Sequence, residues 1–317
     1  MNLTGLKWGY LSVCSHVLVA SLLVGGSSLA QIATDHSLPA IAQAADGSKT
    51  EPLARDPIVQ KLIGKWQTIR PPAAEVESAT FAFAPDGKLT VLMARASGEL
   101  GVVQMGYQIN PNTQPIHLNL ILSNRSDEIV RTILGFTQEG LLRMQISGID
   151  PTTPRPSSFT ADEPLLRKIS TIPSLQPDLQ AVTRQIAGRT RESEGKLYVS
   201  SLIQAEMAYF LANGKYGRAI DQLGTGFQPE TENYRYEIVS DADTQWVGVR
   251  GLAKRLGLKS FVGIVFTVTE KTGPFVLMAK VCQSKEPTRL PPRFPDLVTT
   301  DSGAEPRIHC GEETQPI

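Results

Sequence analysis

The sequence predicts an α+β protein with an antiparallel β-barrel in its first half and a long helix in its second half. Residues 58–169 contain about eight short segments of strand-like composition, joined by turn residues and without a helical stretch between them. Residues 179–212 contain no proline, carry apolar residues at helical spacing, and include only two glycines, Gly188 and Gly195. Gly214 follows and is expected to end the helix as a C-cap. These two patterns set the fold class before any motif is considered.

The composition predicts two domains of ordinary globular character. The chain has 317 residues, of which 41% are hydrophobic, so each half can bury a core. Lys and Arg total 31 and Asp and Glu total 31, and the pI is about 6.9. This balance gives no electrostatic reason to expect nucleic acid or an anionic membrane surface as a partner.

The first 45 residues are typical of a secretory signal peptide and a following linker. Lys7 precedes an apolar run over residues 8–30 that carries no residue charged at neutral pH, and small residues follow. Cleavage after Ala30 and cleavage near Ala44 both fit, and a retained N-terminal anchor is the alternative. We therefore expect an exported protein, periplasmic or extracellular, with no transmembrane helix once the signal is removed.

The cysteine count predicts one disulfide. Removal of the signal peptide would remove Cys14 and leave Cys282 and Cys310, an even pair in an oxidising compartment. The bond would close a proline-rich tail over residues 286–317, which shows little hydrophobic pattern of its own. Two free buried thiols are the alternative.

The barrel segments alternate as half-buried strands do. Leu89, Val91 and Met93 fall on one face of residues 88–95, and three leucines fall on one face of residues 117–122. Eight strands enclose an interior that side chains can fill or that can hold one small apolar ligand, and both readings stay open.

Three barrel residues are candidates for a ligand site. Trp66 and Phe83 could line a cavity, and a filled core is the alternative for both. Arg155 could bind an anion at the barrel mouth, although a surface or strand-end role is the alternative.

Five short strings carry a resemblance for this half. They are GKW at 64–66, FAPDG at 83–87, YQINPN at 107–112, HLNL at 117–120 and RPSSF at 155–159. In this order and spacing, residues 58–169 resemble a lipocalin-like small-barrel domain of a type frequent in planctomycete proteins. The resemblance implies a closed or nearly closed barrel, and it implies no particular ligand or activity.

A second resemblance covers residues 190 to about 285. The matching strings are EGK at 194–196, IQAEMAYF at 203–210, NGKY at 213–216, IDQLG at 220–224, PETENYRY at 229–236 and LKSFVG at 258–263, followed by Cys282. They are similar to the cyanobacterial type IV pilin-like G and H family. The resemblance implies a long helix packed on a small antiparallel sheet, with strands over residues 234–240, 245–250, 260–269 and 275–282. We thus expect a pilin-like domain over residues 179–285, joined to the barrel by a linker over residues 170–178 that contains Pro173 and Pro177.

One feature departs from a type IV pilin. In a pilin the first half of the long helix is a continuous apolar segment, whereas residues 178–193 here contain Arg184, Arg189, Arg191 and Glu192. A charge at the centre of a bilayer costs several kcal/mol, so this segment is unsuited to anchoring a subunit. The protein is therefore predicted not to be a standard pilus subunit.

The sequence shows no motif for catalysis, metal binding or cofactor binding. His117 and His309 lie in different halves, and no cluster of His, Cys, Asp and Glu has metal-ligand spacing. We predict no enzyme activity and no cofactor.

An aromatic stretch in the pilin-like half is a candidate partner surface. Its residues are Tyr209, Tyr216, Tyr234 and Tyr236, and packing between helix and sheet is the alternative. The predicted function is protein contact, as an accessory of pilus or secretion machinery. The alternative function is a small-molecule carrier that uses the barrel cavity.

Overall fold

The structure, a computed structural model, describes residues 56–70, 75–122, 128–146, 151–161, 163–187, 189–240, 245–268, 276–298 and 306–317. The predictions on the signal peptide, its cleavage at Ala30 or Ala44, and Cys14 lie outside the described residues. Within them the fold is a barrel followed by a helix packed on strands, so the predicted α+β class is confirmed.

The barrel is a simple antiparallel meander that closes on itself. Each strand pairs with the next one along the chain, and the eighth strand pairs with the first. The strands are β1 (Gly64–Thr68), β2 (Val76–Phe83), β3 (Lys88–Arg95), β4 (Glu99–Asn110), β5 (Ile116–Leu122), β6 (Ile129–Phe136), β7 (Leu142–Met144) and β8 (Leu165–Ser170). Residues 159–161 and 163–164, between β7 and β8, lie in a loop, in which the Thr160 amide donates to Gln145 Oε1 at 3.0 Å.

A short helix, α1 (Pro57–Leu62), precedes the first strand. The Asp56 carboxylate caps it by accepting hydrogen bonds from the amides of Ile58 (2.7 Å) and Val59 (3.3 Å). The indole Nε1 of Trp66 donates to the carbonyl of Leu62 at 2.7 Å, which fixes the helix against the barrel core. Buried Leu118, Leu120 and Leu122 confirm the predicted inward face of β5.

The predicted single helix over residues 179–212 is wrong, because two helices occupy this stretch. They are α2 (Leu179–Ile186) and α3 (Arg191–Asn213). Thr190 caps α3 by accepting a hydrogen bond from the Ser193 amide at 3.4 Å, and Glu192 and Glu194 in the first turn favour a helix start there. The predicted end at Gly214 is confirmed: its φ is 68°, and its amide donates to Phe210.

The second half of the chain forms four further antiparallel strands in chain order. They are β9 (Tyr234–Val239), β10 (Trp246–Ala253), β11 (Phe261–Val268) and β12 (Val276–Ser284). Helix α3 packs on one face of this sheet and buries Val199, Leu202 and Ile203 against Val249 and Val265. The four strands lie within two or three residues of the predicted bounds.

The two halves share one sheet. The first part of β4 pairs with β3 on one side and with β12 on the other, so that Glu99 lies opposite Lys280 and Val103 lies opposite Val276. Val102 points away from the barrel interior and is fully buried in the core under α3. The barrel and the four-stranded sheet of β9 to β12 are therefore joined by backbone pairing and by a common hydrophobic core.

The tail contributes to the core, although its sequence shows little apolar pattern. It forms β13 (Asp296–Val298), β14 (Arg307–His309) and β15 (Thr314–Pro316), and β15 pairs with β12. Ile308, 1% exposed, packs with Ile264 and Met278 on the sheet face opposite α3. Cys282 and Cys310 are bonded, with a Cα–Cα distance of 5.9 Å, so the predicted disulfide is confirmed.

Candidate functional site

The four predicted surface tyrosines do not lie on one surface. Tyr234 and Tyr236 are 0% and 2% exposed, and Tyr236 stacks on Tyr198 of α3 with ring centroids 4.2 Å apart. Burial raises the pKa of both phenols above the ordinary value. Their rings pack between helix and sheet, which was the alternative given for them, and they add no exposed area to this part of the molecule.

Tyr209 and Tyr216 are half-buried near the C-terminal end of α3. The ring of Tyr216 packs against Phe210 with centroids 4.6 Å apart, and its hydroxyl bonds to Thr267 Oγ1 of β11 at 2.6 Å. Burial raises the pKa of Tyr216 as well. This tyrosine therefore fastens the segment after α3 to the sheet, and only part of its ring faces solvent.

Glu206 is a buried carboxyl on α3 that sequence reasoning missed. Its exposure is 0%, its Oε2 accepts a hydrogen bond from the Gly217 amide at 2.9 Å, and its Oε1 has no partner among the described residues. Burial raises the pKa of Glu206 to about 7, against the smaller opposing effect of the Gly217 bond. The available signal was its position three residues after Ile203, on the inward face of the helix.

Glu194, in the first turn of α3, ties the helix to the turn before β9. Its carboxylate accepts hydrogen bonds from the Thr231 hydroxyl and from Asn233 Nδ2, the latter at 2.7 Å. In the sequence, these residues stood out only as parts of two strings that resemble the family. The contact shows that they hold the strings EGK and PETENYRY together in space.

A groove runs beside the outer edge of β9. Its walls come from a 3-10 helix (Ile220–Leu223), from the loop that follows this helix, and from β9 itself. The lining residues include Ile220, Asp221, Phe227, Pro229, Glu237 and Ile238. Ile220 and Phe227 are buried and give the groove an apolar floor, while Asp221 is exposed at its rim. No motif in the sequence indicated this groove, because its parts are adjacent only in the folded chain.

Trp66 and Phe83 lie inside the barrel as members of one packed cluster. Their exposures are 1% and 0%, and Phe83 meets the edge of Tyr107 with centroids 5.2 Å apart. A depression at one end of the barrel is lined instead by residues that include Ile58, Pro115 and Phe159. The structure does not bring the three predicted ligand residues together around it.

Arg155 lies outside the barrel and is engaged by neutral acceptors. Its guanidinium donates to the carbonyl of Leu118 at 2.9 Å, to the carbonyl of Thr132, and to Asn119 Oδ1 at 2.6 Å. Burial, together with the neighbouring charge of Arg131, lowers its pKa. The side chain thus attaches the loop over residues 151–161 to strands β5 and β6.

Neither a metal-binding cluster nor a helix of membrane-spanning character is present among the described residues. Among the residues that the structure describes, no group of three or more His, Cys, Asp or Glu side chains is arranged to hold a metal ion. No helix in the described ranges combines the length and the apolar character that a membrane crossing requires.

Comparison with known proteins finds a family match in the second half of the chain. Residues 192–311 match the family model described as type IV pilin-like G and H. The match covers α3, strands β9 to β12 and the tail through Cys310, so it extends beyond residue 285, where we predicted the resemblance to end. No curated protein and no solved structure matches the chain. The lipocalin-like character of residues 58–169 stays a prediction.

Proposed function

We propose that this protein is exported and acts through protein contacts, as a non-catalytic accessory of a type IV pilus or a related secretion assembly. The observation that carries the proposal is the family match over residues 192–311, which spans the complete helix-on-sheet unit. Pilin-like units work by binding other subunits, so a protein partner is the natural ligand of this half of the chain.

The segment before α3 supports an accessory role in place of a standard subunit. Helix α2 is a separate, amphipathic helix in which only Val182 is buried, and exposed Arg184 and Arg191 flank the junction with α3. A fibre subunit needs an apolar helix here, and these charges are unsuited to that environment. The barrel, joined through β4, adds a second module that a simple subunit does not need.

The carrier function that the sequence left open has no specific support. Trp66, Phe83 and Leu89 belong to a packed cluster inside the barrel, and each is almost completely buried. We therefore treat the barrel as a second module and do not propose a ligand for it.

The proposal is tested by cross-linking the mature protein in the cell envelope of its own organism, followed by affinity capture and mass spectrometry. Exposed Lys215 and Lys285 report contacts of the pilin-like half, and exposed Lys88 reports contacts of the barrel. We expect pilus or secretion subunits to be joined through the first two lysines. Recovery of no such subunit, or contacts through Lys88 alone, would contradict the proposal.

A matched control distinguishes a specific contact from non-specific binding. The charge-reversed variant Lys88→Glu should leave the recovered set of partners unchanged, because this lysine lies at the start of β3, in the barrel, and pairs there with Asp86 at 3.2 Å. A change of partners in that variant would show that the barrel makes the contact.

A further inference from the structure

Within the part of the chain that the structure describes, the edge of β9 is covered along only half of its length. Residues 229–231 pair with its first part: the Thr231 amide donates to the Tyr234 carbonyl at 2.9 Å, and the Tyr236 amide donates to the Pro229 carbonyl at 2.7 Å. Proline has no amide hydrogen, so Pro229 cannot continue the ladder by donating to the Tyr236 carbonyl. The covering segment therefore stops there.

The remaining edge presents a row of backbone groups. In an antiparallel strand, the amide and the carbonyl of one residue point to the same edge, and those of the next residue point to the other edge. The backbone amide of Tyr236 donates to Pro229, so the backbone groups of Tyr236 point away from β10. The Tyr236 carbonyl and both the amide and the carbonyl of Ile238 thus face outward. Among the residues that the structure describes, none forms a hydrogen bond with these three groups.

The opposite edge of the same four strands is already occupied. Strand β12 pairs with β4 over Val276 to Lys280 and with β15 over Cys282 to Ser284. The fold therefore completes one edge of this sheet with strands from distant parts of the chain. The outer half of β9 is the edge that the described residues leave without such a strand.

We propose that the uncovered part of β9 binds an extended segment of a partner protein by strand addition. Only an extended backbone offers donors and acceptors at the spacing of the three outward groups. The floor formed by Ile220 and Phe227 suits an apolar side chain of the segment, and Asp221 at the rim suits a basic one. This inference rests on the proposed function, namely that the protein works through protein contacts.

The test variant is Ile238→Pro, which removes the outward amide. The Ile238 amide lies outside the β9–β10 ladder, so the variant should fold, and its circular dichroism and melting temperature check this. The matched control is Ile238→Val, which keeps the amide and a β-branched side chain. The probe is a phage-displayed library of random dodecapeptides, selected on the wild-type protein, with binding of the selected peptides measured by fluorescence anisotropy.

We expect the selected peptides to combine apolar and basic residues in alternation. Their affinity for Ile238→Pro should be lower by roughly tenfold or more. The proline removes one backbone hydrogen bond to the peptide, and its ring hinders the close approach of the peptide backbone. They should bind Ile238→Val like the wild type and bind Asp221→Arg more weakly. Equal binding to Ile238→Pro, or no enrichment of any peptide, overturns the inference.

A second measurement distinguishes a partner from a second copy of the chain. If sedimentation shows a wild-type dimer that Ile238→Pro dissociates, the edge pairs with itself and the partner assignment is overturned. Envelope cross-linking separates this inference from the proposed function. If Ile238→Pro captures pilus subunits as well as the wild type does, the proposed function stands and strand addition at β9 is overturned. If peptides bind in a way that depends on Ile238 but no pilus subunit is captured, strand addition stands and the proposed function is overturned.

Discussion

Glu99 of the barrel lies directly opposite Lys280 of the pilin-like sheet, and the two residues are 2% and 7% exposed. The Glu99 carboxylate also accepts hydrogen bonds from the amide of Ile308 (2.7 Å) and the hydroxyl of Ser97 (2.9 Å), and pairs with Arg307 at 3.4 Å. Burial alone would raise the pKa of this carboxyl, but the hydrogen bonds and the charges of Lys280 and Arg307 outweigh it and lower the pKa. One side chain thus connects the barrel, the second sheet and the tail.

Replacement of Glu99 by Ala should destabilise the protein by about 3–5 kcal/mol, because it leaves Lys280 buried without a compensating charge. Urea unfolding followed by tryptophan fluorescence measures this. Glu75→Ala is the control: its carboxylate is 72% exposed and also pairs with Arg307, so the expected loss is within about 1 kcal/mol. If the two variants lost the same free energy of unfolding, the burial of Glu99 at the junction would not contribute to stability.

The pH dependence from Glu99 has a defined sign. The folded pKa is below the unfolded one, so the stabilisation is present above the unfolded pKa and is lost as pH falls through the folded pKa. Glu99→Gln should therefore differ most from the wild type near neutral pH and least in acid. A constant difference at all pH values would contradict this assignment.

Glu206 should act in the opposite direction. Its pKa is raised from 4.5 to about 7 in the folded protein. The stabilisation by the protonated carboxyl is therefore fully present below the unfolded pKa and is lost as pH rises through the folded pKa. Glu206→Gln should gain on the wild type by up to about 3 kcal/mol between acid and mildly alkaline pH. Paired urea titrations over this range measure the gain. The exposed Glu312→Gln variant should follow the wild-type profile.

Gly195 should resist substitution by alanine, although alanine normally favours a helix by about 1 kcal/mol. A Cβ at this position would lie 2.7 Å from the ring of Phe261 and 2.7 Å from Cζ of Tyr234. Helix α3 would have to move away from the sheet, at a cost of about 1–3 kcal/mol. Thermal unfolding of Gly195→Ala beside the exposed control Lys196→Ala checks this, and equal melting temperatures would contradict the close packing.

Loss of the disulfide should lower the unfolding free energy by about 3–4 kcal/mol, because the bond closes a loop with a sequence separation of 28. The tail should nevertheless stay in place, since Ile308 and β15 hold it independently. Urea unfolding of the Cys282→Ala, Cys310→Ala variant measures the first effect. Limited trypsin digestion measures the second, and rapid cleavage at Arg307 would show that the disulfide alone retains the tail.

Arg155→Ala should cost about 1.5–3 kcal/mol, because three acceptors on β5 and β6 lose a charged donor. Lysine should rescue only part of the loss, since it lacks the planar fork. Exposed Arg167→Ala is the control and should change little. Phosphate that stabilised the wild type but not Arg155→Ala would instead support the anion site that the sequence suggested.

Local patterns explain why the strands could be predicted well. Alternation at Leu89, Val91 and Met93, and the turn at Gly87, depend on neighbours within a few residues. The break between α2 and α3 was also local, in the Thr190 cap, but it was outweighed in our prediction by the absence of proline. The strings that resemble the pilin-like family located α3 and its sheet because each string lies on one element.

The sequence alone predicted the fold class, the positions of most strands along the chain, the end of α3 at Gly214 and the pairing of Cys282 with Cys310. These depend on short-range periodicity, on the conformational freedom of glycine and on cysteine parity. The folded structure was needed to show that β4 joins two sheets, that Glu206 is buried, and that the described residues cover only half of the edge of β9. Each of these features depends on contacts between segments that are far apart in the sequence, and the type of a residue does not indicate which distant residue it will contact.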